Sequence, residues 1–336
     1  MSRLAAIFGC AGPALGPDEA AFFHETRPWG FILFGRNVET PDQVRRLVAD
    51  LRDAVGDAPV LIDQEGGRVQ RLRPPHWPRY PAARAYGERA DAATRREIAW
   101  LGGRLIAHDL MAVGVNVDCA PVLDVAAPGA HDVIGDRAYG QTPEVVAGLG
   151  RAFADGLLAG GVLPVIKHIP GHGRALADSH LQPPVVDATR AELARDFAPF
   201  RANADLPAAM TAHVVYPAID PTGPATTSRV VIEDVIRTDI GFDGLLMTDD
   251  LSMKALTGDF ASRARDALAA GCDLVLHCNG DMAEMRAVAA GATLLAGDSA
   301  RRADAALARI AKGAESFDVE AARARFAVAF SGLRAA

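Results

Sequence analysis

The chain has 336 residues, half of them hydrophobic, and its 35 Lys and Arg against 42 Asp and Glu give a formal net charge of −7. No basic run or basic-aromatic pattern occurs, so neither nucleic acid nor an anionic membrane surface is expected as a partner. The length would allow two domains, but α/β barrels of this size form a single domain.

The four cysteines lie in apolar, strand-like segments, at Cys10, Cys119, Cys272 and Cys278. No CxxC occurs and no His is paired with Cys at zinc-finger spacing, so we expect buried reduced thiols in a cytoplasmic protein. The apolar residues 4–8 are few for a signal peptide, and they predict a first β-strand rather than a lipoprotein signal before Cys10. No segment approaches the ~20 apolar residues of a membrane span.

Eight short apolar or β-branched segments, each ending near a polar residue, predict β-strands. They cover residues 4–8, 31–34, 59–62, 115–125, 162–166, 208–211, 244–248 and 272–276. Apolar residues at helical spacing follow between them, and Pro41 after Thr40 is a typical helix start. The predicted helices cover residues 41–55, 93–113, 143–159, 189–202, 228–240, 260–270 and 282–295.

Strand–helix alternation repeated about eight times predicts a parallel sheet closed into a barrel. An open doubly wound sheet is the alternative, but no GxGxxG follows the first strand. We therefore predict an α/β fold with a single (β/α)8 barrel domain over residues 1–336, ending in a helical tail from about residue 315. Two long connections after strands, residues 63–92 and 168–188, are where a barrel of this kind keeps its active site.

Two polar motifs follow the third and fourth predicted strands. In Asp63-Gln-Glu-Gly-Gly-Arg-Val-Gln-Arg71, an aspartate at a strand end precedes two glycines, which allow a ligand to approach the backbone closely. Such a carboxylate accepts hydroxyl hydrogen bonds, or it pairs with Arg68 or Arg71. In Gly135-Asp-Arg137, a guanidinium could bind a ligand oxygen or form a structural salt bridge.

The richest polar chemistry lies in residues 165–182, VIKHIPGHGRALADSHLQ. Lys167 and His168 end an apolar strand, which favours a functional over a purely structural role. Asp178 and His180 stand two residues apart, so the carboxylate could orient the imidazole and stabilise its cation, as a general acid/base requires. The histidines, with His172, also permit a metal site, although no HxH or HExxH spacing occurs.

Two adjacent carboxylates, Asp249 and Asp250, end the seventh predicted strand, and adjacent side chains of a strand point to opposite faces. If Leu245 and Met247 fill the barrel interior, Asp249 lies above them at the barrel mouth. Asp250 then faces the helix layer and the following turn, where it could cap the next helix. The pattern alone also permits the opposite arrangement, in which Asp250 lies at the barrel mouth and Asp249 faces the helix layer.

Together these motifs resemble glycoside hydrolase family 3, specifically the bacterial β-N-acetylhexosaminidases of cell-wall recycling. KHIPGHG, DSH, DQEGGRVQRL, GDRAY and TDDLSM all lie between about residues 30 and 279, in the family's order. The resemblance implies a single (β/α)8 barrel and a retaining mechanism that removes terminal N-acetylglucosamine from muropeptide-type fragments. It implies no metal and no cofactor, and a small-molecule glycan as the partner.

The resemblance also assigns roles residue by residue. It places the nucleophile at Asp249 and the acid/base at His180, oriented by Asp178. It places the sugar-binding residues at Asp63, Arg71, Arg137, Lys167 and His168. Two departures from the family pattern occur: Ile169 stands where Phe is common, and Asp136 where Glu is frequent, which could change how Arg137 is held.

Three alternatives remain at this stage. A metal-dependent barrel hydrolase would be sensitive to chelators. A non-catalytic glycan-binding barrel would not turn over a chromogenic N-acetylglucosaminide. A phosphorylase on the same scaffold would form a sugar phosphate in phosphate buffer, since a neutral histidine tolerates an anionic acceptor better than a carboxylate does.

Overall fold

In a computed structural model, which describes residues 2–89, 91–175 and 184–331, short strands alternate with helices along the chain. The strands are β1 (Leu4–Gly9), β2 (Pro28–Leu33), β3 (Val60–Ile62), β4 (Gln64–Gly66), β5 (Val69–Gln70), β6 (Val117–Asp118), β7 (Leu163–Ile169), β8 (Ala208–Thr211), β9 (Leu245–Asp250) and β10 (Leu274–His277).

The α-helices are α1 (Pro17–Thr26), α2 (Pro41–Val55), α3 (Ala83–Gly87), α4 (Ala92–Met111), α5 (Pro143–Ala159), α6 (Arg190–Arg201), α7 (Phe260–Ala270), α8 (Met282–Gly291), α9 (Gly297–Ala308) and α10 (Val319–Phe330). A π-helix covers Val231–Asp239, and 3₁₀ turns cover Gly35–Asn37, Gly135–Arg137 and Ala225–Thr227. None of the helices in the described residues is long and apolar enough to cross a membrane.

Within the described residues, β1, β2, β3, β6, β7, β8, β9 and β10 form a closed parallel barrel, and β4 with β5 forms a separate antiparallel hairpin. The prediction of a single (β/α)8 barrel is confirmed. The carboxyl ends of all eight strands therefore meet at one mouth, where barrel enzymes place their active sites.

Two apolar clusters explain why the strands close. Alternate strand residues such as Ile7, Val165 and Leu276 pack together inside the barrel, whereas their strand neighbours, such as Phe8 and Ile166, pack outward against the helices. Strands buried on both faces are apolar throughout, as these are. For that reason the strands are recognisable in the sequence as short apolar segments.

Strand boundaries differ from the predictions where proline intervenes. The predicted strand 115–125 is reduced to β6; beyond Pro121, which has no N–H to donate, Val122 pairs with Lys167 as an isolated bridge. Conversely, β2 begins at Pro28 rather than at Phe31, since proline is tolerated as the first residue of a strand. The C-terminal helix α10 packs on α4 and places Phe326 against Tyr80 and Tyr86.

Candidate active site

A cavity of about 180 Å³ opens at the barrel mouth. It is lined by residues from the ends of β7 and β9 and from the loops that follow β2, β3, β6 and β10. Its charged and imidazole side chains are Asp63, Glu65, Arg71, Arg137, Lys167, His168, His172, Asp249 and Asp250. Every sequence-predicted site residue within the described part of the chain is thus brought to this one pocket.

On one wall of the pocket, two carboxylates and three cations form a continuous network. Lys167 Nζ lies 2.8 Å from Asp63 Oδ1 and 2.7 Å from Glu65 Oε1. Arg71 Nη2 donates to Asp63 Oδ2 at 2.9 Å, and Arg137 binds Glu65 through two hydrogen bonds of 2.8 Å. Both oxygens of Asp63 and Oε2 of Glu65 each accept one of these contacts and keep a lone pair for a ligand hydroxyl, so the wall is suited to a polyhydroxylated ligand.

The charges of the network are mutually stabilised. Burial alone would raise the pKa of both carboxyl groups, but Lys167 and Arg71 hold the pKa of Asp63 well below its usual range. Arg137 and Lys167 likewise lower the pKa of Glu65 to about 2. Burial disfavours the ammonium of Lys167, yet Asp63 and Glu65 raise its pKa above the ordinary value. The network is therefore fully ionised at neutral pH.

Local sequence explains how Glu65 reaches this wall. Gly66, the last residue of β4, has φ +95°, and a Cβ there would lie 2.3 Å from the carbonyl oxygen of Pro81, so only glycine fits this position. The 3₁₀ turn Gly135–Arg137 presents Arg137 opposite Glu65. Asp136, the departure from the family pattern, pairs with Arg68 at 3.2 Å.

We expect this network to make stability depend on acid pH. Since its carboxyl pKa values are lower in the folded than in the unfolded state, their contribution is complete above the unfolded values and is lost as pH falls through the folded ones. For Glu65 the window runs from its ordinary 4.5 down to about 2. The melting temperature should fall across this window, and less steeply in Glu65→Gln, as circular dichroism can measure. Parallel pH profiles of variant and wild type would contradict this.

At the end of β7, consecutive residues Lys167 and His168 both line the pocket, although strand neighbours normally alternate. The register between β7 and β8 shifts between Lys167 and Ile169. Such an irregularity redirects side chains beside many active sites. The functional assignment of both residues from sequence is compatible with this geometry.

Asp124, which is fully buried, holds His168 in place. Its Oδ2 lies 2.6 Å from His168 Nδ1, and its Oδ1 accepts the amide of His172 at 2.6 Å. Burial opposes ionisation of Asp124, but His168 and His172 lower its pKa, so it is a carboxylate and must accept a proton from Nδ1–H. The other ring nitrogen, Nε2, is then directed toward Asp249 Oδ2, 4.0 Å away.

His172 forms part of the wall beside His168, with ring centres 5.7 Å apart. Burial and the neighbouring His168 lower its pKa to about 4, so it is neutral at physiological pH. In the described residues, no group of three or more His, Cys, Asp or Glu side chains is arranged to hold a metal ion.

In β9, Asp249 rather than Asp250 continues the row of interior side chains, which is the arrangement implied by the family resemblance and left open by the strand pattern alone. Leu245 and Met247 belong to the interior cluster, and Leu246 packs outward. Asp249 consequently lies above the interior layers in the pocket wall. Burial would raise its pKa, but His168, His213 and the amide of Asp250 lower it, so Asp249 is an ionised carboxylate facing the ligand cavity.

Two expectations for Asp250 need correction. It also lines the pocket, because the register between β9 and β10 shifts near the strand end. Its carboxylate accepts the amides of Ser252 and Cys278 at 3.0 and 3.1 Å, in addition to the Ser252 hydroxyl. It therefore does hold the following turn, but it does not cap the next helix: α7 is capped by Asp259, which accepts the amide of Ser262.

The predicted dyad of Asp178 and His180 lies outside the described residues. The described chain passes His172 in the pocket wall, stops at Ala175 and resumes at residue 184.

Comparison with known proteins agrees with this geometry. The model of the Glycosyl hydrolase family 3 N terminal domain matches residues 19–312. A beta-hexosaminidase of Methylococcus capsulatus is 44% identical over 281 residues, which are 81% of this chain and 82% of that protein. A beta-hexosaminidase of Pseudomonas aeruginosa is 43% identical over 272 residues, 80% of each chain.

The chain belongs to glycoside hydrolase family 3.

Within this family, NagZ from Neisseria gonorrhoeae, solved in complex with N-trifluoroacetyl-D-glucosamine, superposes with a TM-score of 0.85 at 34% identity. The superposition covers 98% of this chain and 96% of that one. The protein is thus a glycoside hydrolase of the β-N-acetylhexosaminidase type. This decides between the enzyme and the non-catalytic glycan-binding alternative in favour of the enzyme.

Sequence reasoning missed two residues of this family 3 site, Glu65 and Asp124. Glu65 lies inside the motif that drew attention to Asp63, and Asp124 ends an apolar segment, so each carried a signal. Their hydrogen-bond partners could not be predicted from sequence, because Glu65 contacts Arg137 across 72 residues and Asp124 contacts His168 across 44. His213 was also missed; it is buried and its Nε2 donates to the carbonyl of Asp250 at 3.0 Å.

Proposed function

We propose that the protein is a retaining β-N-acetylhexosaminidase that removes terminal, non-reducing N-acetylglucosamine from muropeptide or anhydro-muropeptide fragments. Asp249 is the nucleophile and forms a covalent glycosyl-enzyme. His180 is the general acid/base, and Asp178 orients it. Asp63, Arg71, Arg137, Lys167 and His168 bind the sugar.

The observation that carries the proposal is an ionised Asp249 in a pocket whose other wall is a fixed set of hydroxyl-binding charges. A nucleophilic carboxylate must be anionic at the working pH. The volume of about 180 Å³ is suited to a single ring, which agrees with removal of one terminal sugar. The bacterial relatives named beta-hexosaminidase support the choice of sugar.

In the first step, an Asp249 oxygen attacks the anomeric carbon while the glycosidic bond breaks and the leaving oxygen takes a proton from His180. In the second, His180 removes a proton from water, which attacks the anomeric carbon and releases Asp249. Two displacements retain the β configuration. Retaining enzymes usually use a carboxylic acid beside the nucleophile, but an unperturbed imidazole titrates near pH ~6.5 and serves both steps with little tuning.

The charged wall has a separate task in this mechanism. Asp63 and Glu65 are held at fixed positions by Lys167, Arg71 and Arg137, so they do not need to reorganise when the ring distorts toward the transition state. Preorganised polar groups of this kind favour the transition state over the ground state.

We expect Asp124→Asn to lower kcat/KM by roughly 10- to 100-fold, since hydrogen bonds to charged groups contribute about 1.5–3 kcal/mol. The amide cannot accept from His168 Nδ1–H without turning its oxygen toward the ring and its NH₂ toward the His172 amide. Nitrogen NMR should therefore show loss of the Nδ1–H tautomer of His168.

Asp118→Asn is the matched control. Burial raises the pKa of Asp118 to about 8, so its side chain is already mostly uncharged at neutral pH, and the amide replaces a neutral acid. It accepts the amide of Gln64 at 3.0 Å, which an asparagine oxygen also does. Equal losses of activity in the two variants, with the His168 tautomer unchanged, would show that Asp124 is only structural.

A panel of 4-nitrophenyl glycosides tests the proposed function directly. The N-acetyl-β-glucosaminide should be hydrolysed much faster than the matched β-glucoside, and chelator should not change the rate. In phosphate buffer the product should be free N-acetylglucosamine; N-acetylglucosamine 1-phosphate would identify a phosphorylase. No turnover of the N-acetylglucosaminide would refute the proposal.

A cytoplasmic location is part of the same proposal. The four cysteines are buried and free, without a disulfide among them. Disulfides are rare in the reducing cytosol, so this arrangement supports the assignment.

A further inference from the structure

The end of β9, which carries Asp249, extends beyond the neighbouring strand β8. Within the described residues, the pairing of these two strands ends with Met210 opposite Met247, two residues before Asp249. On the other side, β10 pairs with β9 as far as Asp250. Backbone groups that are buried and lack a strand partner need another one. On the β8 side, the position of this strand end therefore depends on side chains.

His213, which follows β8, supplies the contact on that side. It is 1% exposed, and its Nε2 donates to the backbone carbonyl of Asp250 at 3.0 Å. Asp250 in turn donates its amide to Asp249 Oδ1 at 2.8 Å. From the β10 side, the carboxylate of Asp250 accepts the amide of Cys278 at 3.1 Å. Asp250 is thus held from both sides, and it holds the carboxylate of Asp249.

The imidazole of His213 is itself fixed by two buried threonines. Its Nδ1 lies 2.7 Å from the hydroxyl of Thr226, which lies 2.8 Å from the hydroxyl of Thr211 and, more distantly, 3.2 Å from the carbonyl of Ala212. Burial lowers the pKa of His213, so the ring is neutral at physiological pH and carries one proton. Because the Asp250 carbonyl can only accept, that proton is on Nε2, and Thr226 donates to Nδ1.

His213 does not line the active-site pocket, so it can act on the reaction only through the strand end that it holds. Attack requires the reacting atoms to lie roughly 3–3.5 Å apart and aligned, and a displacement of about 1 Å can cost roughly 100-fold in rate. A donor that fixes the backbone next to Asp249 therefore has a large effect on attack. It has little effect on sugar binding, because the charged wall on Asp63 and Glu65 makes no hydrogen bond to His213.

We propose that His213 is a positioning residue for the nucleophile: through the backbone of Asp250, its imidazole fixes the orientation in which the Asp249 carboxylate attacks the anomeric carbon. The inference rests on the proposed function, in which Asp249 is the nucleophile. It deepens that function by a residue that lies outside the pocket and outside the sequence motifs.

The test measures attack by Asp249 separately from sugar binding. The rate constant for trapping by 2-acetamido-2-deoxy-5-fluoro-β-glucosyl fluoride reports attack, and the Kd of N-acetylglucosamine, from isothermal titration calorimetry, reports binding. His213→Leu should slow trapping roughly 10- to 100-fold and change the Kd by less than about twofold. His213→Gln, whose amide places an N–H donor close to the position of Nε2, should recover most of the rate.

Thr226→Val tests the same row of hydrogen bonds with His213 in place. It removes the hydroxyl that donates to Nδ1, so nitrogen NMR should show loss of the single Nε2–H tautomer of His213. Trapping should slow about fivefold, the scale of one neutral hydrogen bond. An unchanged tautomer together with an unchanged trapping rate would contradict the proposed orientation of the ring.

His277→Leu is the matched control. His277 is equally buried and ends β10, but neither of its ring nitrogens makes a hydrogen bond in the described residues, so trapping should proceed at the wild-type rate. Wild-type trapping in His213→Leu, an equal loss in His213→Gln or His277→Leu, or a Kd that weakens in parallel with the rate would overturn the positioning role while the hydrolase proposal stands. A wild-type enzyme that turns over substrate but is never trapped would overturn the nucleophile and the positioning role together.

Discussion

Asp249→Ala should lose roughly 10⁴-fold or more in kcat, which is the scale on which a covalent nucleophile contributes. The pocket should survive the change, because the Lys167–Asp63–Glu65 network makes no hydrogen bond to Asp249. Sodium azide should restore turnover, since a small anion fits the space left by the carboxylate and attacks the anomeric carbon from the same face. The product should then be the α-glycosyl azide, which proton NMR identifies.

Asp250→Asn is the control for that experiment. Its carboxylate is bound to Ser252 and to the amide of Cys278, so the variant should lose stability through the turn after β9 more than it loses chemistry. We expect a lower melting temperature, at most about a tenfold loss in kcat and no azide product. Azide rescue in an Asp250→Ala variant instead of Asp249→Ala would reverse the assignment.

His180→Ala should cost on the order of 10²- to 10⁴-fold with natural disaccharides and much less with a nitrophenyl leaving group. The physical reason is that a poor leaving group must be protonated as the bond breaks, whereas nitrophenolate departs without help. A Brønsted plot of kcat/KM against leaving-group pKa measures this, and the variant's slope should be much steeper than that of the wild type.

Asp178→Asn should show a milder form of the same leaving-group dependence, because it alters the orientation and cation stability of the imidazole rather than removing it. Equal losses on good and poor leaving groups in both variants would show that this pair does not deliver the proton. His108, an exposed residue of α4 outside the pocket lining, offers a matched histidine control: His108→Ala should behave as wild type.

Helix boundaries were predictable where the local sequence signals and the packing against the barrel favour the same residues. Residues 41–55 and 143–159 were predicted to the residue as α2 and α5. Both begin with Thr-Pro, and each places one apolar face toward the barrel. The barrel itself followed from the alternation of buried strands and amphipathic helices.

The contacts within the candidate site could not be predicted from local sequence patterns, because they form only when the barrel closes. Lys167 reaches Asp63 across 104 residues, and no local pattern reports such a pairing. The shared orientation of Lys167 and His168, and of Asp249 and Asp250, depends on register shifts, which strand periodicity does not encode. Proposed roles for individual side chains came from their motifs; the charge states came from the structure.

The central claim is that Asp249 forms a covalent glycosyl-enzyme in a retaining reaction. Incubation with 2-acetamido-2-deoxy-5-fluoro-β-glucosyl fluoride, followed by proteolysis and mass spectrometry, measures it most directly. The account predicts a single labelled peptide containing Thr248 to Met253, with the sugar on Asp249, and a β-configured first product by NMR. Label on Asp250, or a first product of α configuration, would contradict it.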